Sequence, residues 1–157
     1  TGGFICLMLI NAVTQSQRLA DWAYVWRLEQ TILSVVPTHQ LKTIPDHSAI
    51  LYIGPSYYKD MVIFGASWDM TYAVFTLDEL RQGRKAFQEI KTIHPATHLY
   101  NWAWDGITLT QEIPGSWKID HKVTDLYVWN FWTKQSYKAS PGFKLLSTEV
   151  AEETYLK

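Results

Sequence analysis

The sequence predicts an α/β (α+β) fold: a long N-terminal helix, short central strands with a second helix, then an antiparallel β-meander. Three observations carry this expectation. Between Gln15 and Val36, apolar residues recur at three- and four-residue steps. Between His98 and Ile113, two alternating runs flank Asp105-Gly106, a dipeptide favoured in tight hairpins. Between these regions lie short apolar runs punctuated by Gly and Pro, the pattern of buried strands.

The composition narrows the function classes. A chain of 157 residues, 47% apolar and 18% charged, has the size of one domain and is too apolar for disorder. Its net charge of −1 supplies no field for a polyanion, so no nucleic-acid partner is expected. Cys6 is the sole cysteine and can form neither an intrachain disulfide nor a cysteine-based zinc site. The chain has no glycine-rich phosphate loop, no nucleotide fingerprint and no G-x-S-x-G elbow, and no cofactor is expected.

Taken in order, Phe4 to Val13 reads FICLMLINAV, apolar except for Asn11. Crossing a bilayer takes about 20 apolar residues, so this run is half of a span. Nothing basic precedes it and no small-x-small pattern follows, which argues against a signal peptide. Two readings remain: a buried strand or helix of the domain, or the last turns of a transmembrane helix that begins outside this chain. The chain opens Thr1-Gly2-Gly3 without Met, as a fragment or processed form would. The second reading is preferred because of the resemblance described below. It divides the chain into an apolar segment, residues 1–13, and a single α/β domain, residues 14–157.

From Gln15 to Val36 the spacing places Leu19, Trp22, Ala23, Trp26, Gln30 and Leu33 on one helical face. Val25, Leu28, Ile32 and Val35 form a second apolar flank, and Pro37 stops the helix. Ala49 to Ile53, closed by Gly54-Pro55, reads as a buried strand, and Met61 to Phe64 as another. Ser67 can cap a second helix in which Trp68, Tyr72, Phe75 and Leu80 keep helical spacing up to Gly83. Arg84 to Ile93 fits strand or short helix equally.

In the hairpin, a two-residue Asp105-Gly106 loop sets Trp104 opposite Ile107, Trp102 opposite Leu109 and Tyr100 opposite Gln111. The other face then carries Ala103 with Thr108 and Asn101 with Thr110. Pro114-Gly115 suits the centre of a type II turn, and Ser140-Pro141-Gly142 marks another turn. Trp117 to Asp120 and Thr124 to Trp132 are expected to continue the meander. Tyr127, Trp129 and Phe131 share one face there, with Trp132 on the other. Glu149 to Lys157 is a charged tail that could end in a short helix.

Candidates for chemistry are few. Exposed aromatics give a flat stacking surface with a polar handle, and Trp117 and Trp132 are the ligand-binding candidates. Trp102 and Trp104 belong to the core face of the hairpin instead. His94 and His98 stand four apart, but Pro95 and the following strand pattern oppose a helical metal site. Asp120-His121 are adjacent in a strand and point to opposite faces, as an acid–base pair should not. Asp105, Glu112, Asp120 and Asp125 could supply a carboxylate pair, although turn and surface roles explain them more simply. Arg81, Arg84, Lys85 and Lys91 form a local basic cluster that fits a solvated face or a lipid headgroup contact. No catalytic or metal-ligating residue is assigned.

One resemblance is present over residues 4 to 80. An apolar helix end precedes a helix with the pattern W-x3-WR-x2-Q-x-IL at Trp22, Trp26-Arg27, Gln30 and Ile32-Leu33. Ile44-Pro45-Asp46, a strand at Ile50-Leu51 and the aromatic run from Trp68 through Tyr72 follow. This order resembles the extracytoplasmic C-terminal domain of bacterial multi-spanning membrane proteins related to glycosyltransferases that use lipid-linked sugars. The resemblance implies an accessory, non-catalytic domain, tethered to the membrane through its N-terminus and partnered by a glycan or by the transmembrane part of the parent protein. The family's catalytic carboxylates lie in loops that this chain lacks, so none is carried over. A carbohydrate-binding module using exposed aromatics, or a small soluble hydrolase using Asp120, His121 or Glu112, are the alternatives.

Overall fold

The computed structural model describes residues 2–36, 40–41, 43–59, 61–64, 70–76, 92–97, 99–150 and 155–156. Helix α1, Gly2–Val35, is one unbroken helix of 34 residues. The apolar opening run is therefore helical and continues straight into the amphipathic helix, through the expected boundary at residue 13. At about 1.5 Å per residue the rod is about 50 Å long.

The remaining elements form three sheets. The central one has the order β4-β1-β8-β9, built from β1 (Ala49–Ile53), β4 (Thr92–Ala96), β8 (Leu126–Asn130) and β9 (Gln135–Lys138). β1 is parallel to both β4 and β8, whereas β8 and β9 are antiparallel. The second sheet is antiparallel, in the order β10-β5-β6-β7. It comprises β5 (Asn101–Trp104), β6 (Thr108–Glu112), β7 (Lys118–Lys122) and β10 (Phe143–Leu145). A third, small sheet joins β2 (Tyr57–Tyr58), β3 (Met61–Val62) and β11 (Tyr155–Leu156). A second helix, α2, covers residues 70–76, and a single helical turn, α3, covers Ser147–Val150.

The alternation of β1 explains the layering. Ile50 and Tyr52 face the helices, where they meet Val25, Ile32 and Val36 at α1, Met70, Val74 and Phe75 of α2, and Ile93 and Trp129. Ala49, Leu51 and Ile53 face the antiparallel sheet and pack with Trp102, Trp104, Leu109, Leu126 and Val128. A strand covered on both sides needs apolar residues at every position, and AILYI is buried throughout. The molecule is a helix–sheet–sheet stack with β1 at its centre. Pro95, which has no N–H to donate, lies in β4 at the edge of the central sheet, where such a residue is tolerated.

Packing selects between the apolar faces that the helical spacing offers, and it corrects the hairpin register and the place of β8. On α1 the inward stripe is Val25, Ile32 and Val36, with Leu28 and Leu33 packed against it. Leu19, Trp22 and Trp26 point outward, at 70%, 59% and 61% exposure. Helical periodicity marks both stripes as apolar; the sheet they meet selects one. On α2 the buried set is Met70, Val74 and Phe75, with Tyr72 exposed. Ser67, Trp68, Leu80 and Gly83 lie outside the described residues, as does most of the ambiguous stretch 84–93, whose end belongs to β4.

The hairpin register is displaced by two: Trp104 pairs with Leu109, Trp102 with Gln111, Ala103 with Thr110 and Asn101 with Glu112. The Asp105 carboxylate accepts the N–H groups of Ile107 and Thr108, at 2.8 and 2.7 Å. The Asp105 N–H meets the Thr108 carbonyl, so the turn centres on Gly106-Ile107. Because side chains alternate with period two, this displacement leaves every residue on its expected face. The turn at Pro114-Gly115 forms as expected, with the Ser116 N–H bonded to the Ile113 carbonyl and Gly115 at φ 74°. β8 does not extend the meander. It crosses to the central sheet beside β1, because Leu126 and Val128 on one face and Tyr127 and Trp129 on the other are all apolar. The C-terminal tail contributes α3 and β11, and Val150 is fully buried.

Candidate functional site

Helix α1 carries several large apolar side chains in exposed positions. Every described side chain from Ile10 to Ala20 is exposed. Contact with the body begins at Asp21, which pairs with Lys59 at 2.7 Å, and at Tyr24, whose ring lies 4.4 Å from that of Tyr58. Hydrogen bonding to Asp21 holds the Lys59 ammonium above its ordinary pKa. Ile10, Val13, Leu19, Trp22 and Trp26 are thus carried on a helix whose opposite side, further along, is fixed to the sheet. The hydroxyls of Thr14 and Ser16 bond back to the carbonyls of Ile10 and Ala12, which removes two polar groups from this surface. No helix among the described residues is long and apolar enough to cross a membrane.

The two aromatic ligand candidates differ in setting. Trp117 stands just before β7, 37% exposed, with its ring 5.7 Å from that of Tyr100. Tyr100 in turn lies edge-on to Trp102 at 6.2 Å, so a short aromatic run leads from the surface into the core. Trp132 is half-buried, packs against the inter-sheet core and meets Phe131 edge-on at 5.3 Å. Trp129 and Trp132 occupy opposite sides, and both sides are covered. Trp102 and Trp104, 1% and 3% exposed, are core residues.

Three of the four candidate carboxylates have a local partner. Asp105 holds the hairpin turn, and those backbone N–H groups keep its pKa below the usual carboxylate range. Asp120 accepts a hydrogen bond from the Thr110 hydroxyl at 2.8 Å and pairs with Lys118 at 3.4 Å. The Thr110 bond is the main cause of its lowered pKa. Asp125 pairs with Lys138 at 2.7 Å. Glu112 is exposed, on the same outer face as Asp120. Asp120 and His121 face opposite sides of β7, so the sheet does not bring them together as acid and base.

What the fold does bring together is His94 and His121, from different sheets. His94 follows the inward face of β4 beside Leu51, and His121 the inward face of β7 beside Leu109. Their ring centroids are 4.9 Å apart, and Trp102 lies 5.3 Å from His94. Nδ1 of His94 and Nε2 of His121 are buried without a hydrogen-bond partner among the described residues. Burial, reinforced by His121, pulls the His94 pKa down to about 3. Burial also lowers that of His121, against the opposing pull of Asp120. Both rings are therefore packing elements in their neutral form at pH 7. No group of three metal-ligating side chains occurs among the described residues. His98 and the basic cluster Arg81, Arg84, Lys85 and Lys91 lie outside the described residues. Sequence reasoning had no means to pair His94 with His121, because the contact depends on how two separate sheets stack.

Compared with known proteins, the chain matches no family model, no curated protein and no solved structure.

Proposed function

We propose that this chain is an accessory, non-catalytic domain that is tethered to a membrane through the first half of α1 and supports a glycosyltransferase-like parent protein. The observation that supports it is the continuity of α1. The run Phe4 to Val13 and the exposed Ile10, Val13, Leu19, Trp22 and Trp26 belong to one helix rooted in the core by Val25, Ile32 and Val36. A helix in water hides such a surface; one that meets lipid or a transmembrane neighbour presents it. Placement outside the cytoplasm, and the glycosyltransferase-like parent, rest on the resemblance of residues 4 to 80.

Vesicle flotation tests the tether. The full chain is expected to float with phosphatidylcholine vesicles and to show a blue shift of tryptophan emission. Ile10→Asp combined with Val13→Asp should abolish both while leaving the thermal midpoint within about 2 °C, since both sites are exposed. Flotation of the double variant equal to that of the natural chain would remove the proposal, as would a natural chain that stays monomeric and vesicle-free. A second reading, glycan binding, is favoured by the exposed Trp117 beside Tyr100. It expects a saturable change in tryptophan fluorescence with oligosaccharides that Trp117→Ala eliminates.

A further inference from the structure

The antiparallel sheet meets the rest of the molecule as a layer. No strand ladder joins it to the central sheet. Three chain connections lead between the two, β4 to β5, β7 to β8 and β9 to β10. The contact itself is side-chain packing, with Trp102, Trp104 and Leu109 against Leu51, Leu126 and Val128. The helix-side core is a separate cluster on the other face of β1, where Trp129 is buried with Ile50 and Tyr52. A layer attached in this way can part from its neighbour without breaking a ladder, as sub-global opening units do.

Two histidines lie in the seam, one from each layer. His94 of β4 is 3% exposed, and its ring centroid is 4.9 Å from that of His121 on β7 and 5.3 Å from that of Trp102 on β5. Among the described residues, the titratable groups on its side are His121 and, behind Trp102, Tyr100. Tyr137 of β9 shares the face of His94 three strands away and is about half exposed. β1, β5, β6 and β8 present no titratable side chain to the seam. Tyr52 and Tyr127 face the helices. Glu112, Lys118, Asp120, Lys122 and Lys144 occupy the outer face of the antiparallel sheet. Glu149 of α3 is exposed and accepts the Leu146 N–H, and Asp125 pairs with Lys138. No carboxylate among the described residues stands in the seam to neutralise an imidazolium, and two charged rings at this separation repel.

We propose that these histidines make the antiparallel sheet an acid-released layer: protonation in the seam parts it from the central sheet while the helix-side core stays closed. Burial, with His121 adding to it, holds the His94 pKa down to about 3 in the closed seam, against the ordinary 6.5 that an opened seam restores. Between those values the open form binds more protons, so the contact is fully present above about pH 6.5 and is lost as pH falls. Burial lowers His121 in the same direction, opposed by Asp120. From pH 7 to pH 4 the open-to-closed ratio of the seam rises on the order of 100-fold. The device is independent of the tether, and the vesicle experiment can fail without affecting it.

The test follows exchange of indole N–H groups into D₂O by NMR of the full ¹⁵N-labelled chain at pH 7, 5.5 and 4. Trp102 and Trp104 report on the seam and Trp129 on the helix-side core, and all three indole nitrogens are buried. Each cross-peak is identified by its loss in the corresponding Trp→Phe variant, and each rate is divided by that of free tryptophan at the same pH. Protection of Trp102 and Trp104 is expected to fall on the order of 100-fold from pH 7 to pH 4, and that of Trp129 by less than about tenfold. In His94→Phe the fall at Trp104 should shrink to within about threefold. His121→Phe, at a less buried position, should reduce the fall measurably and decides the matter if His94→Phe does not fold. The proposal is overturned by an equal fall at Trp129, which marks global unfolding, by constant protection at Trp102 and Trp104, or by an undiminished fall in the folded histidine variant.

Discussion

Trp102→Ala is expected to destabilise the fold by about 3–5 kcal/mol, the cost of deleting a fully buried tryptophan. Trp102 is 1% exposed and lies between the central sheet and the antiparallel sheet, with His94 on one side and Tyr100 on the other. Its removal opens a void between those two layers. Domains of this kind have about 5–15 kcal/mol in total, so much of the protein would unfold in mild denaturant. Trp102→Phe should cost clearly less. It retains most of the apolar volume and eliminates an indole N–H that has no partner among the described residues. Trp22→Ala, on the exposed side of α1, should change stability by no more than about 0.5 kcal/mol in the absence of lipid. Urea denaturation followed by circular dichroism measures all three. Equal losses for Trp102→Ala and Trp22→Ala would contradict the assignment of the inward and outward surfaces.

Acidification is expected to loosen the same interface. His94 has an ordinary pKa of 6.5 in an unfolded chain and about 3 in the folded one, because burial penalises its charged form. Between those values the unfolded chain binds more protons, so stability falls as pH falls through this window. The favourable contribution is fully present above about pH 6.5, and its loss by pH 4 is on the order of 3 kcal/mol. His121, also lowered by burial, acts in the same direction, moderated by Asp120. Asp105 and Asp120, whose pKa values are lowered by hydrogen bonds, weaken the fold by protonation too, but only below the ordinary carboxylate range near pH 4. The histidine effect is therefore separable by pH. Denaturation midpoints at pH 7, 5.5 and 4 should decline steeply in the natural chain and much less in His94→Phe. Parallel declines in the two proteins would show that His94 carries no such linkage.

How far the fold was legible depended on the range of the interaction involved. The turn at Pro114-Gly115 formed as expected because Pro restricts one φ and only Gly enters the next region readily, a matter of four residues. β1 was legible because AILYI is apolar at every position. The hairpin faces were right although the pairing moved by two, since Asp105 used its carboxylate to close a turn one residue further on. β8 leaves the expected meander for the central sheet. Its sequence is as apolar on both faces as β1, and that signal was outweighed by its position directly after β7.

The candidate sites divide in the same way. Trp117 and Trp132 were recognisable as aromatics, but only packing decided that the first stands at the surface beside Tyr100 and the second leans on the inter-sheet core.

By itself, the order of residues determined the helical run of α1, the local turns and the alternation of the strands, all of which are governed by backbone sterics and neighbours a few positions apart. Only the tertiary structure decided which stripe of α1 turns inward, which sheet receives β8 and which histidines meet. Those outcomes depend on the shapes of surfaces distant in the chain, and on burying the most apolar area between them without leaving voids.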